Sequence, residues 1–160
     1  MNVPNKTKGF TIIEVVLVLA IAGLIFLVVF LALPALQRGQ RDTQRKQDLG
    51  ELVSQVTSYQ SNTQGALPNG SWNTTFKTNY MTVNNTPFND PSSGAIYTIT
   101  QQAGTTGAAA PTAITAGSIW VYPGVTCANV AAGTGTINTT SRTYAAIIYQ
   151  EQGTYTCQGS

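Results

Sequence analysis

From Phe10 to Leu33 the chain runs for 24 residues with only two polar side chains, Thr11 and Glu14. At a rise of about 1.5 Å per residue, a helix of that length reaches ~36 Å, enough to cross a bilayer. The stretch before it, Met1 to Gly9, is short, polar and basic, with Lys6 and Lys8. A secretory signal carries its apolar stretch ahead of a small-residue cleavage site. Here the small residue, Gly9, comes first. A cut after Gly9 removes a basic leader, residues 1–9, and leaves the apolar helix on the product. That helix must then be covered by lipid or by other copies of itself.

Glu14 is the exception inside the apolar run. A carboxylate in a spanning helix is costly and marks a functional position by default. Its place one turn from the helix start moderates the cost, because it can reach toward the headgroups. For orientation, Lys6 and Lys8 favour a cytoplasmic N-terminus, whereas Arg38, Arg41, Arg45 and Lys46 follow the span and count the other way. Cys127 and Cys157, a lone pair in a polar, Thr-rich region, suit an oxidising exterior. We take the N-terminus as inside and the C-terminal part as outside.

Composition removes several function classes. The charged fraction is 9%, against about 25% in a typical chain, and the formal net charge is +2. That is far from the basic excess of a nucleic-acid binder. With no histidine and two cysteines, zinc-finger spacing, Ser-His-Asp chemistry and Cys-His chemistry have no residues to work with. The chain reads as a non-enzyme without a cofactor.

Gly9-Phe10-Thr11-Ile12-Ile13-Glu14-Val15, placed after a short basic leader and at the head of a long apolar helix, resembles the class III signal of type IV prepilins. In that family a dedicated peptidase cuts after the glycine and methylates the new N-terminal phenylalanine. The resemblance therefore implies cleavage between Gly9 and Phe10, N-methylation of Phe10, and Glu14 as the family's glutamate at the fifth position of the mature chain. It also implies that Glu14 pairs with the N-terminal ammonium of a neighbouring subunit inside a filament, where a buried ion pair serves to fix register. Losing Lys6 and Lys8 with the leader leaves six basic against six acidic side chains.

The helix is expected to extend over residues 10–64, with 10–33 as membrane or filament core and 34–64 amphipathic. Leu49, Leu52, Val53, Val56 and Tyr59 form an apolar stripe at helical period. Arg38 with Asp42, and Asp42 with Lys46, are spaced for i,i+4 pairing on an outer face. Pro34 is expected to bend or locally melt the helix. Gln64-Gly65-Ala66-Leu67-Pro68 ends it, with the glycine as cap. Residues 65–94 read as a loop anchored by Trp72, Phe76, Tyr80 and Phe88. Turn chemistry at Phe88 to Gly94 leads into a first strand, Ala95 to Thr100. Three more strands are expected at Ser118–Tyr122, Thr143–Tyr149 and Thr154–Cys157, joined in part by an uncharged small-residue loop, Gln101 to Gly117. Three or four antiparallel strands in residues 95–160 would supply the partner for the helix stripe.

Cys127 and Cys157 read as a structural disulfide, with two free thiols the alternative; closing that loop is worth up to ~4 kcal/mol. In pilins such a pair bounds a surface-exposed C-terminal loop region. Asn69-Gly70-Ser71, Asn73-Thr74-Thr75, Asn84-Asn85-Thr86 and Asn138-Thr139-Thr140 match the N-glycosylation pattern, as chance dictates in a chain rich in Asn and Thr. Asp90 and Glu151 are the only acids after Glu51, too few for a Ca²⁺ site of six to eight oxygens. The acidic calcium loop common in major pseudopilins is therefore not expected. Lys77 and Arg142 are the only basic residues beyond the helix, so no direct nucleic-acid site is expected either.

The expectation is an α+β chain of type IV pilin-like architecture, a long N-terminal hydrophobic helix packed on a small antiparallel sheet head. Its function would be that of a pilus subunit, a homopolymer built through the helix for adhesion, motility or DNA uptake. Its partners would be a prepilin peptidase, the inner-membrane pilus assembly machinery and minor pilins, with the inner membrane as precursor location and the cell surface after assembly. The alternatives are a pseudopilin of a type II secretion system and a membrane-anchored adhesive or DNA-capturing protein.

Overall fold

The apolar run and the amphipathic stripe that follows it belong to one helix, α1, Ile12–Asn62. The structure, a computed structural model, describes residues 9–81, 88–102, 117–133, 137 and 140–159. The basic leader with Lys6 and Lys8, the body of the small-residue loop (103–116) and the glycosylation matches at 84–86 and 138–139 lie outside those residues. The chain divides into two compact units, Met1–Gly39 and Gln40–Ser160, and α1 contributes to both. Pro34 sits inside α1 and does not end it. The α1 terminus is a Schellman-type turn in which the Gly65 N–H donates to the Gln60 carbonyl at 2.7 Å. The left-handed residue at its hinge is Gln64, φ 59°, followed by Gly65 at φ 88°. Any side chain at Gly65 would collide with Arg142.

In the second unit a four-stranded sheet takes the order β1-β2-β3-β4. Its strands are β1, Thr98–Gln101; β2, Ser118–Pro123; β3, Tyr144–Tyr149; and β4, Tyr155–Gly159. The β2–β3 and β3–β4 pairs are antiparallel. The β1–β2 pair is parallel, so the sheet is mixed rather than wholly antiparallel. The connection over 102–117 is long enough for the dozen or more residues a parallel crossover needs, whereas a hairpin would need only a few.

One face of the sheet meets α1. Leu49, Leu52 and Val56 are fully buried and share a core with Ile99, Ile119, Val121, Ala146 and Ile148. Residues 65–94 are not simply a loop, because Trp72–Met81 forms a π-helix. Trp72, Phe76 and Tyr80 recur every fourth residue and touch in sequence, Trp72 edge-on to Phe76 at 5.3 Å and Phe76 stacked on Tyr80 at 5.5 Å, with Tyr59 of α1 edge-on to Phe76 at 5.7 Å. The opposite face of the sheet carries a second, smaller core of Tyr122, Val125, Val130, Ala145 and Ile147. Val130 comes from a short helix, α2, Cys127–Ala132, capped by Thr126 and ended by a left-handed Gly133. With both faces covered, β3 (Tyr-Ala-Ala-Ile-Ile-Tyr) reads as a continuous apolar run rather than an alternating one.

Candidate functional site

The first unit holds Gly9, Phe10 and Glu14. Gly9, Phe10 and Thr11 precede the first helical residue, Ile12, so the Gly9–Phe10 bond lies outside the helix. The start itself is a capping box: the Glu14 carboxylate accepts from the Thr11 N–H and the Thr11 hydroxyl, each at 2.8 Å. The Glu14 N–H donates back to the Thr11 hydroxyl oxygen at 3.4 Å. Thr at the cap and Glu three residues on satisfy one another's backbone donors, which fixes where the helix begins. The Thr-x-x-Glu spacing is a capping-box signal in the sequence itself, one that the reading of Glu14 as a membrane and assembly acid does not use.

Phe10, Glu14, Val15, Val18 and Leu19 line one shallow groove along this helix face. Phe10 and Glu14 thus share a face, although no bond between them is present. Phe10 is 88% exposed, and the large apolar residues from Ile12 to Leu36 are exposed with it. The helix is long and apolar enough to cross a membrane, with a mean hydropathy of 3.3 over its most apolar window, none of it buried. A side chain built at Gly9 would meet nothing within 4 Å, and Gly9 has no left-handed backbone. Among the described residues, nothing packs against position 9 in a way that calls for glycine.

The second unit adds a charged constellation that the apolar stripe alone did not reveal. Asp42 and Arg45 are buried, 4% and 2% exposed, and do not lie on an outer face. Their spacing continues the stripe backwards: 42, 45, 49, 52 and 56 fall on one side of α1. Asp42 pairs with Arg45 at 3.4 Å and accepts the Glu151 N–H at 2.9 Å; Arg38 and Lys46 are not its partners. Arg45 donates to Asp90 at 2.7 Å and to the Ser92 hydroxyl at 2.7 Å. Arg41 forks onto Glu151, Nε to Oε1 at 2.6 Å and Nη2 to Oε2 at 2.7 Å. The two head acids are therefore both held by arginines of α1. Asp90 also accepts from the Ser93 N–H and hydroxyl and from Ser92. Burial alone would raise its carboxyl, but the Arg45 and Ser92 hydrogen bonds and the Arg45 charge outweigh it and hold the pKa at about 2.

Cys127 and Cys157 are joined, Cα to Cα 5.7 Å. The bond ties the first residue of α2 to the middle of β4, so the enclosed segment includes core, α2 and β3, and is more than a surface loop.

Residues 4–30 match the family model of the prokaryotic N-terminal methylation motif, the class III signal peptide of type IV pilins. The match covers the leader and the apolar half of α1. It supports a type IV pilin- or pseudopilin-like, structural protein, and together with the exposed apolar helix it fits a membrane-anchored precursor. No curated protein and no solved structure matches the chain.

Proposed function

We propose that this chain is the structural subunit of a type IV pilus or pilus-like filament, polymerising through the first half of α1. The observation that carries the reading is the methylation motif at 4–30 joined to a helix whose large apolar residues from Ile12 to Leu36 are exposed among the described residues. A prepilin peptidase cuts between Gly9 and Phe10 and methylates the new amine of Phe10. Two features support this. Glycine at position 9 answers no packing demand among the described residues, which is what a residue read by an external enzyme looks like. The Thr11–Glu14 box starts the helix two residues after the scissile bond, leaving that bond outside the helix.

In the filament, Glu14 exchanges its local partner for the Phe10 ammonium of a neighbouring subunit, a pair strengthened by the low dielectric of the helix bundle. The inner-membrane assembly machinery and minor pilins complete the process, and the head faces outward at the cell surface. Asp90 and Glu151 already hold Arg45 and Arg41, which favours a pilus over a calcium-loop pseudopilin. Electron microscopy of sheared surface filaments, with mass spectrometry of their bulk subunit, tests the reading. Finding this chain as the bulk subunit supports it; finding it only in membranes, with filaments made of another protein, contradicts it.

A further inference from the structure

β1 stands at one end of the sheet order, and its outer edge is hazardous by composition. Ala95 to Gln102 (Ala-Ile-Tyr-Thr-Ile-Thr-Gln-Gln) contains no charge, no proline and no glycine and is rich in β-branched and aromatic residues. That is the signature of a segment that pairs with copies of itself. An open edge of this kind recruits strands through its unpaired N–H and C=O groups.

The edge is not open. The Asn73 amide of the π-helix bonds Ile99 twice, Nδ2 donating to the Ile99 carbonyl at 2.6 Å and Oδ1 accepting the Ile99 N–H at 2.8 Å. One side chain thus supplies the donor and the acceptor that a neighbouring strand would present. Lys77, one turn on, donates to the Tyr97 carbonyl at 2.8 Å, immediately before the strand. At the far end the Gln101 side chain accepts from the Gly70 N–H at 3.3 Å and the Trp72 indole N–H at 2.7 Å, fastening the start of the π-helix beside β1. A ten-residue π-helix is rare, and π geometry concentrates where side chains must be re-aimed.

We infer that the π-helix is a guard on the β1 edge, with Asn73 as its latch and Lys77 as its second bolt, and that the partner it excludes is β1 of a second copy of this chain. Two identical β1 edges can pair antiparallel about a two-fold axis, a self-complementary contact. The inference is independent of the filament reading, since it concerns the head alone. It also accounts for Asn73 within its Asn-Thr-Thr match: the amide that a glycan would occupy is bonded to Ile99.

The test uses the full-length chain in detergent micelles, with light scattering for association and hydrogen exchange at the Ile99 amide. Asn73→Ala should leave tryptophan fluorescence native and speed Ile99 exchange about tenfold in dilute samples. On concentration it should associate and regain protection at Ile99 as a second β1 takes the vacated groups. Asn73→Asp keeps the acceptor and loses the donor, so it should fall between Asn73→Ala and the wild type even if the alanine variant fails to fold. Thr75→Ala, exposed on the same segment, should behave as wild type. Asn73→Ala that stays as dispersed as Thr75→Ala, or that associates without renewed protection at Ile99, would overturn the inference.

Discussion

Helix α1 meets two different environments within a single element. Between Ile12 and Leu36 its large apolar side chains are exposed, and its one carboxylate, Glu14, bonds to Thr11 three residues back. Beyond Gln40 only one face is buried, and that face changes character along its length, from Asp42 and Arg45 to Leu49, Leu52 and Val56. The carboxylate of the first half, Glu14, has a local partner; in the second half two arginines reach across more than forty residues of chain, Arg45 to Asp90 and Arg41 to Glu151. The second half of α1 is a folding element with partners in its own chain; the first half, exposed among the described residues, is the part we propose for assembly.

That contrast can be broken most severely at Arg45. Arg45→Met strands the fully buried Asp90 carboxylate without its cation, which should cost about 3–5 kcal/mol of head stability. Unfolding followed by tryptophan fluorescence reads the head alone, because Trp72 and Trp120 both lie in it. Adding Asp90→Asn to Arg45→Met should return part of the loss; a double variant no better than the single would show that packing, not the stranded charge, carries the effect. Cys157→Ser should cost about 2–4 kcal/mol in the same assay, and an unchanged denaturation midpoint would mean that the second core holds α2 to β4 unaided.

Acid sharpens the comparison further. The folded Asp90 pKa, about 2, lies below its ordinary value of 3.8, so this residue contributes stability above pH 4 that fades as the pH falls through 2. The contribution is about 2 kcal/mol. Burial raises Asp48, beside the Tyr97 hydroxyl, and that carboxyl acts in the opposite direction, gaining relative stability as it protonates. Subtracting the Asp90→Asn profile isolates the Asp90 part; identical slopes in both proteins would remove Asp90 from the account. The smallest effect belongs to the solvent side of α1. Lys46→Ala should change head stability by no more than about 0.5 kcal/mol, and a loss comparable to Arg45→Met would mean that the buried face has been assigned to the wrong residues.

How much of this was written in the sequence depends on which signal was followed. The apolar run and the Leu49-Leu52-Val56 stripe follow directly from length and periodicity, and the four strands from β-branched and aromatic runs bounded by turn residues. Asp42 and Arg45 share that same phase, yet hydrophobic patterning passes over charged residues, because burying them depends on partners as distant as Asp90 and Glu151. The π-helix had a visible cue in the fourfold spacing of Trp72, Phe76 and Tyr80, masked by the Asn, Gly and Ser around it. Helix α2 was announced only by Thr126 before and Gly133 after a six-residue segment, and its second core forms because the disulfide and β3 lie beneath it. The parallel pairing of β1 is a long-range choice, hinted at only by the length of 102–117. At the N-terminus the motif residues are legible one by one, whereas the reciprocal Thr11–Glu14 bonding that positions them emerges only from geometry.

The assembly half of the contrast stands or falls on what becomes of the chain between Gly9 and Phe10. The direct measurement is the intact mass and N-terminal peptide of the subunit sheared from the cell surface, compared with those of the membrane-bound pool. The account predicts filaments built of a chain that begins at Phe10 and carries one methyl group on its amine, with Glu14→Gln leaving the same processed subunit in the membrane and little of it in the sheared fraction. A filament subunit that begins at Met1, or wild-type filament yield from Glu14→Gln, would contradict it.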